Sequence, residues 1–133
     1  MQIEYFDDPE STARPVLLIY GNNPNDAAAL QRAIEVLAVG GANDVQIDAL
    51  PSFEGVDGCS VTAQIASANL GMALVTDTQP GAFRCALDPT TWSQVAGLLE
   101  PFTENRPPDA PDVHQYLSSD GAIDWIVATS RNW

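Results

Sequence analysis

Apolar and polar side chains alternate through the middle of the chain, and this alternation predicts strands. In Cys59–Ser67 every second residue up to Ile65 is apolar, which is the spacing of a half-buried strand. The stretches Leu70–Asp77 and Phe83–Leu87 repeat the pattern. Between them, Gln79–Gly81 suits a type II turn, with Pro in its second position and Gly in its third. We therefore expect these three strands to form a meander.

After the third strand the apolar spacing changes to that of a helix. Asp88 is a suitable N-cap, and Pro89 suits the first helical position because it has no N–H to leave unpaired. Pro101 is expected to end the helix near Glu100. Four residues at helical spacing are predicted to form its buried stripe: Trp92, Val95, Leu99 and Phe102.

A second helix and five further strands are predicted on either side of this region. Asn23 or Asn25 can cap the helix, and Gly40–Gly41 can stop it. Its buried stripe is predicted to contain Ala27, Leu30, Ile34 and Leu37. The strands are predicted at Gln2–Phe6, Pro15–Tyr20, Val45–Leu50, Val113–Ser118 and Ala122–Thr129, the last two joined as a hairpin by Ser119–Gly121.

This order of elements predicts an α+β fold in a single domain that covers residues 1–133. Hairpins outnumber the possible β-α-β crossovers. We therefore expect a mostly antiparallel sheet of about six to eight strands, with two helices packed on one face. One parallel pair, Pro15–Tyr20 beside Val45–Leu50 around the first helix, fits the same order.

The charge balance narrows the range of partners. The chain has 18 acidic residues against 5 basic ones, all of them arginine, and its formal net charge is −13. Lys and Arg contacts to phosphate dominate nucleic-acid affinity, so a nucleic-acid partner is not expected. Anionic membranes should repel the chain, and no segment has the apolar length of a membrane span. The sign of the charge favours a basic protein as partner.

Acidity also has a simpler interpretation, because a high net charge keeps a protein soluble, for example in a salty cell. A GC-rich genome that favours Arg over Lys would give the same composition. The first residues, Met1–Asp8, have no basic region and no apolar run, so we expect no signal peptide and a cytoplasmic location. No cofactor is expected.

Two candidate catalytic or anion sites have a more ordinary explanation in the sequence. A set of Cys59 or Cys85 with His114 and Asp124 has the residue types of a nucleophilic site, but both thiols fall on predicted inward faces. Free buried thiols are expected in a reducing compartment, although neighbouring strands would also allow a disulfide. The turn Tyr20–Asp26 resembles a phosphate cradle in outline, but it has one Gly and no Lys, so a capped helix is expected instead.

Acids and aromatic residues in loops supply the remaining candidates. Asp7, Asp8 and Glu10 offer oxygen ligands to a hard cation, but Pro9 stiffens their spacing and a solvated turn is expected. Phe53 lies in a loop before Glu54, where an aromatic residue suits an interface anchor. Trp133 is a second candidate anchor, and it can equally pack on its own domain.

The end of the chain resembles the closing hairpin of small bacterial immunity proteins, which neutralise polymorphic or contact-dependent toxins. The resemblance is carried by His114–Leu117, Gly121–Thr129 and Trp133, and Phe83–Leu87 with Trp92 is similar in character. The resemblance implies a one-domain cytoplasmic inhibitor that binds its cognate toxin and catalyses nothing. It transfers no defined binding residue.

The sequence therefore predicts a non-catalytic inhibitor that binds a basic toxin domain. The alternatives are an acidic structural or adaptor domain and a small enzyme that uses His114 with a cysteine. The residues expected to contact the partner are the loop acids and two aromatic residues: Asp7, Asp8, Glu10, Phe53, Glu54, Asp57, Glu104, Asp109, Asp112 and Trp133.

Overall fold

The computed structural model describes residues 1–76 and 80–133. The predicted turn that starts at Gln79 and the predicted strand end at Asp77 lie outside the described residues. Within them the chain forms two α-helices, α1 (Pro24–Ala38) and α2 (Pro89–Leu98). The strands are β1 (Gln2–Phe6), β2 (Val16–Tyr20), β3 (Asp44–Gln46), β4 (Glu54–Gly55), β5 (Ser60–Ile65), β6 (Gly71–Leu74), β7 (Ala82–Leu87), β8 (His114–Ser118) and β9 (Asp124–Ala128).

The first sheet contains five strands in the order β4-β1-β2-β9-β8. β1 and β2 form an antiparallel hairpin in which Gln2 pairs with Tyr20, and Phe6 pairs with Val16. β9 lies parallel to β2 on its other side, and β8 returns antiparallel to β9, as the predicted hairpin requires. The short β4 extends the sheet parallel to β1.

The second sheet contains four strands in the order β3-β5-β7-β6. β5 pairs with β7 in parallel, from Ser60 opposite Ala82 to Ile65 opposite Leu87, and β6 pairs antiparallel on the far side of β7. The predicted meander is therefore wrong, because β5 and β6 are not neighbours. Alternation reports which face of a strand is buried, and it does not report which strand lies beside it.

The α+β prediction is confirmed. The strands form two mixed sheets of five and four strands, where one mostly antiparallel sheet was expected. The predicted parallel pair of Pro15–Tyr20 with Val45–Leu50 is wrong, because β1 and β9 occupy both sides of β2. β3 is also shorter than predicted. The chain turns into a short 3-10 helix at Ile47–Ala49, which places Ile47 in the core.

Both helices begin as their sequences predict. The side chain of Asn23 accepts a hydrogen bond from the backbone N–H of Asn25 at 2.9 Å, and Asp88 accepts one from Thr91 at 2.7 Å. The helices pack against each other, and the predicted apolar stripes of both are buried. A short 3-10 helix, Glu100–Thr103, follows α2 and buries Phe102.

One large core lies between the two sheets and the helices. At its centre the indoles of Trp92 and Trp125 meet edge to face with 6.0 Å between ring centroids. The indole N–H of Trp92 donates to the carbonyl of Gln64 at 2.9 Å, which satisfies a polar atom that burial would otherwise leave unpaired. α2 is thereby connected to both β5 and β9.

Glycines bring the β8–β9 turn against β6. A side chain on Gly121 would place its Cβ 2.4 Å from the carbonyl oxygen of Met72, closer than real contacts allow. The N–H of Ile123 donates to that same carbonyl at 3.3 Å, so the two sheets share a hydrogen bond here. Arg14 donates to the carbonyl of Gly121 and pairs with Asp124 at 3.3 Å, which holds the turn from the other side.

Candidate protein-binding surface

The five-stranded sheet has an inner face in the main core and an outer face with a smaller apolar cluster. On β2, Leu17 and Ile19 belong to the main core, whereas Val16 and Leu18 point outward. The outward residues pack with Ile126 and Ala128 of β9, and half-buried Phe6 and Tyr20 border them. The outer face is therefore apolar at its centre and aromatic at its margin.

Three aromatic rings lie together at the β8 side of this outer face. The ring of His114 is 6.1 Å from that of Tyr116 and 5.8 Å from that of Trp133, both at steep interplanar angles. The side chains remain accessible, with Tyr116 43% and Trp133 40% exposed. We call His114, Tyr116 and Trp133 the aromatic cluster. Exposed rings of this kind are typical of protein interfaces, where aromatic residues are enriched.

A charged network lies at the β1 side of the same face. Arg131 donates two hydrogen bonds to Glu4, at 3.1 and 3.0 Å, and its guanidinium carbon lies 5.1 Å from the centre of the Phe6 ring. The hydroxyl of Tyr20 donates to the same carboxylate at 2.9 Å. The bonds from Arg131 lower the pKa of Glu4 most, and the bond from Tyr20 lowers it further, against the opposing effect of burial. Burial, followed by contact with Glu4, raises the pKa of Tyr20.

Exposed carboxylates border the outer face at both ends of its strands. Asp7 follows Phe6 directly at the end of β1, and Asp8 and Glu10 follow in the loop to β2. At the opposite end Asp112 precedes β8, where it accepts hydrogen bonds from the hydroxyls of Thr129 and Ser130 at 3.1 and 3.0 Å. The outer face thus has an apolar centre, aromatic side chains at its margin and exposed acids at both ends of its strands.

The half-buried carboxylates have structural partners. Besides Glu4, Asp26 pairs with the amino group of Met1 at 3.1 Å, and Asp124 pairs with Arg14. Asp48 accepts from the N–H of Val61 at 2.9 Å, and Asp88 caps α2. The remaining carboxylates in the described ranges are exposed: Asp7, Asp8, Glu10, Glu35, Asp44, Glu54, Asp57, Glu100, Glu104, Asp109, Asp112 and Asp120. Because the ion pairs found among the described residues use only half-buried acids, the exposed acids carry the excess negative charge.

The ten predicted contact residues do not form one patch. Glu54 pairs with Gln2 at the β4 edge of the sheet, and Asp57 follows in the adjacent turn. Glu104 and Asp109 lie in the connection between α2 and β8. Asp7, Asp8, Glu10 and Asp112 border the outer face, and Trp133 lies on it.

The prediction that Phe53 is an interface anchor is wrong. This residue was expected to be an exposed anchor, but its side chain is only 8% exposed and belongs to the main core. The backbone N–H of Phe53 donates to the carbonyl of Leu50 in a tight turn that directs the ring inward. The predicted anchor at Trp133, in contrast, is partly exposed and also contacts its own domain through His114.

Sequence reasoning missed most of the aromatic cluster. The alternation in Val113–Ser118 places His114 and Tyr116 on one face, which is the signal that would have found them. The contact of His114 with Trp133 requires the segment after β9 to turn back toward β8. Local residue spacing does not predict that turn. Phe6 and Tyr20 were likewise on predicted strands, but their shared face follows from the β1–β2 register.

The cysteines are buried and free, as predicted. Burial raises the pKa of Cys59 to about 11, with smaller contributions from Asp48 and Glu4, and burial also raises the pKa of Cys85. A cleft of about 310 Å³ opens beside Cys59 and is bordered by Tyr5 and other residues. Since a thiolate is the reactive form, neither sulfur is activated as a nucleophile near neutral pH.

The turn before α1 forms the expected capped helix. Asn23 caps α1, and Asp26 in its first turn contacts the amino group of Met1, which places a carboxylate where a phosphate would lie. Within residues 1–76 and 80–133, no group of three or more His, Cys, Asp or Glu side chains converges as metal ligands would. In these same ranges neither helix is long and apolar enough to cross a membrane.

Comparisons of the chain with protein-family models, with curated proteins and with solved structures give no match. The outer face and the distribution of charge are therefore the features of the molecule that bear on its function.

Proposed function

We propose that this protein is a cytoplasmic, non-catalytic inhibitor of the immunity type that binds and neutralises a basic toxin domain. The observation that carries the proposal is the separation of the carboxylates into two groups. The half-buried acids have structural partners, and three of them pair with a cation. In residues 1–76 and 80–133 no ion pair is found for the exposed acids, and four of these, Asp7, Asp8, Glu10 and Asp112, border an accessible aromatic face.

The outer face has the composition that a protein–protein interface needs. Aromatic side chains near the centre of an interface supply most of its binding energy, and charged residues at the border steer the encounter. Tyr116 and Trp133 are the expected anchors. Asp7, Asp8, Glu10 and Asp112 are the expected steering residues. An enzyme that used His114 is disfavoured because the ring is engaged with Tyr116 and Trp133 and because both thiols are buried.

The distribution of the other acids favours a second candidate, an acidic structural or adaptor domain. Glu35, Asp44, Glu54, Asp109 and other exposed acids lie on separate elements away from the aromatic cluster. Charge spread in this way also serves solubility alone. The two candidates differ in whether the acids that border the outer face have a specific effect on binding.

The cognate toxin of an immunity protein is expected to be encoded next to it, so the test uses the product of the gene immediately upstream, which we call the upstream domain. Its association and dissociation rates with this protein are measured at about 50 and 500 mM NaCl. We expect the on-rate to fall at least about tenfold across this range, because screening removes electrostatic steering. Y116A should speed dissociation at unchanged thermal stability. D7N/D8N should slow association more than the control E35Q/D44N, which removes the same charge from α1 and β3.

Three results would contradict the proposal. They are no binding to the upstream domain, an on-rate that is independent of salt, and equal effects of the two charge-removing double variants. Equal effects would favour the adaptor domain, because only net charge would then matter. Growth of cells that produce the upstream domain, with and without this protein, tests neutralisation directly.

A further inference from the structure

We propose that Glu4, Phe6 and Tyr20 form a guanidinium-binding site, which the chain's own Arg131 fills and which an incoming arginine side chain can take over. The assignment of that arginine to a protein partner rests on the proposed function. The site itself does not, since the structure already contains a guanidinium in it. We call these three residues the guanidinium site.

The geometry of the guanidinium site matches a planar cation. Nε and Nη2 of Arg131 donate to the two oxygens of Glu4 at 3.1 and 3.0 Å, so the pair is bidentate. The guanidinium also lies 5.1 Å from the centre of the Phe6 ring, within the range of a cation–π interaction. A lysine ammonium lacks the flat fork that makes both contacts together, so the site should select arginine over lysine.

The carboxylate is held in place independently of its cation. The hydroxyl of Tyr20 donates to Glu4 at 2.9 Å, and the Glu4 side chain is 16% exposed, so it does not have to be ordered by the ligand. The backbone of Glu4 is also fixed, because Glu4 pairs with Leu18 between β1 and β2. Binding to such a preorganised acceptor loses little side-chain freedom on the receptor side.

The resident cation, in contrast, is accessible to solvent. The side chain of Arg131 is 57% exposed and lies after the last strand, outside regular structure. Among the described residues its guanidinium donates hydrogen bonds to Glu4 alone, so an incoming guanidinium can replace these contacts. Arg14 shows the difference: it pairs with Asp124 and also donates to the carbonyl of Gly121, which fixes it to the β8–β9 turn.

The test uses the full chain with Arg131 removed and a small arginine probe. N-acetyl-L-arginine amide is titrated into R131A and into the unchanged protein, and backbone and aromatic NMR shifts of Glu4, Phe6 and Tyr20 are followed. We expect R131A to bind the probe at least about fivefold more tightly than the unchanged protein. We also expect it to prefer this probe over N-acetyl-L-lysine amide by a similar factor.

Three control variants define the result. R14A keeps the guanidinium site filled and should bind the probe no better than the unchanged protein. E4Q in the R131A background should abolish binding. R131Q is measured beside R131A as a larger replacement, because alanine at this position can disturb the segment that follows β9. If R131A and R131Q bind the probe no better than the unchanged protein, or if both fail to fold, Arg131 is a structural latch and the proposal is wrong.

The small probe tests the guanidinium site, and the upstream domain tests the proposed function, so one experiment can fail without the other. Probe binding at the guanidinium site supports the site even if the upstream domain does not bind, which would count only against the proposed function. If the upstream domain binds R131A more tightly than it binds R14A, which removes the same charge elsewhere, an arginine of the partner uses the site.

Discussion

The contact of Gly121 with Met72 offers a sharp test of how the two sheets are joined. In Gly121→Ala the new Cβ would lie 2.4 Å from the carbonyl oxygen and 2.7 Å from the nitrogen of Met72. Both are backbone atoms, so no side-chain rotation relieves the overlap, and the turn must move away from β6. That movement also breaks the hydrogen bond from Ile123 to Met72.

The expected cost combines two effects. Overpacking against a rigid neighbour costs about 1–3 kcal/mol, and loss of the backbone hydrogen bond adds about 1 kcal/mol. We therefore expect G121A to lower the free energy of unfolding by about 2–4 kcal/mol. For a chain of this size that corresponds to a fall in Tm of about 6–16 °C. Urea and thermal unfolding followed by circular dichroism measure both quantities.

Gly97 provides the matched control. It lies in α2, and a Cβ at this position meets no atom within 4 Å. Gly97→Ala should therefore leave the fold intact and stabilise it by up to about 1 kcal/mol through helix propensity. A G121A protein whose unfolding free energy lay within about 0.5 kcal/mol of the unchanged protein, with G97A behaving as expected, would refute this account of the sheet junction.

Three further predictions concern burial and protonation. Because burial raises the pKa of both thiols, iodoacetamide at pH 8 should modify Cys59 and Cys85 slowly in the folded chain and rapidly in denaturant, and fast labelling of the native protein would contradict their burial. The pKa of Glu4 is lowered in the folded state, so the stability it provides is complete above about pH 4.5 and is lost as the pH falls through the folded value. The urea midpoint of E4Q should consequently fall less between about pH 5 and pH 3 than that of the unchanged protein, and equal slopes would show that this carboxylate is not involved. Trp92→Phe leaves the buried carbonyl of Gln64 without its indole donor and should cost about 1–3 kcal/mol in urea unfolding, whereas no change in the midpoint would mean that the bond contributes nothing.

Local features of the fold were predictable, and its long-range pairings were not. The caps at Asn23 and Asp88 and the buried stripes of both helices depend on residues within a few positions of one another, so the sequence reveals them directly. The pairing of β2 with β9 joins segments that lie far apart in the chain. The place of β7 between β5 and β6 is also not set by local spacing, although these strands lie within residues 60–87. Several orders of the same strands bury the same faces, and alternation cannot distinguish them.

The candidate surface shows the same limit. Exposed acids can be predicted from composition and loop position, and all eight acids that were predicted to contact a partner are exposed. Phe53 was misjudged because a loop residue can still turn inward when its backbone forms a tight turn. The aromatic cluster depends on the segment after β9 meeting β8. The guanidinium site depends on the same segment meeting β1, a contact between residues 127 positions apart.

The parallel pairing of β2 with β9 has a consequence for folding during synthesis on the ribosome. Residues 16–20 pair on one side with residues 124–128, so that side of β2 stays unpaired until residues 124–128 have been synthesised. Pairings so distant in sequence also slow folding, because a long loop must close before the two strands can make contact. A nascent chain that still lacks β9 therefore cannot form the outer face.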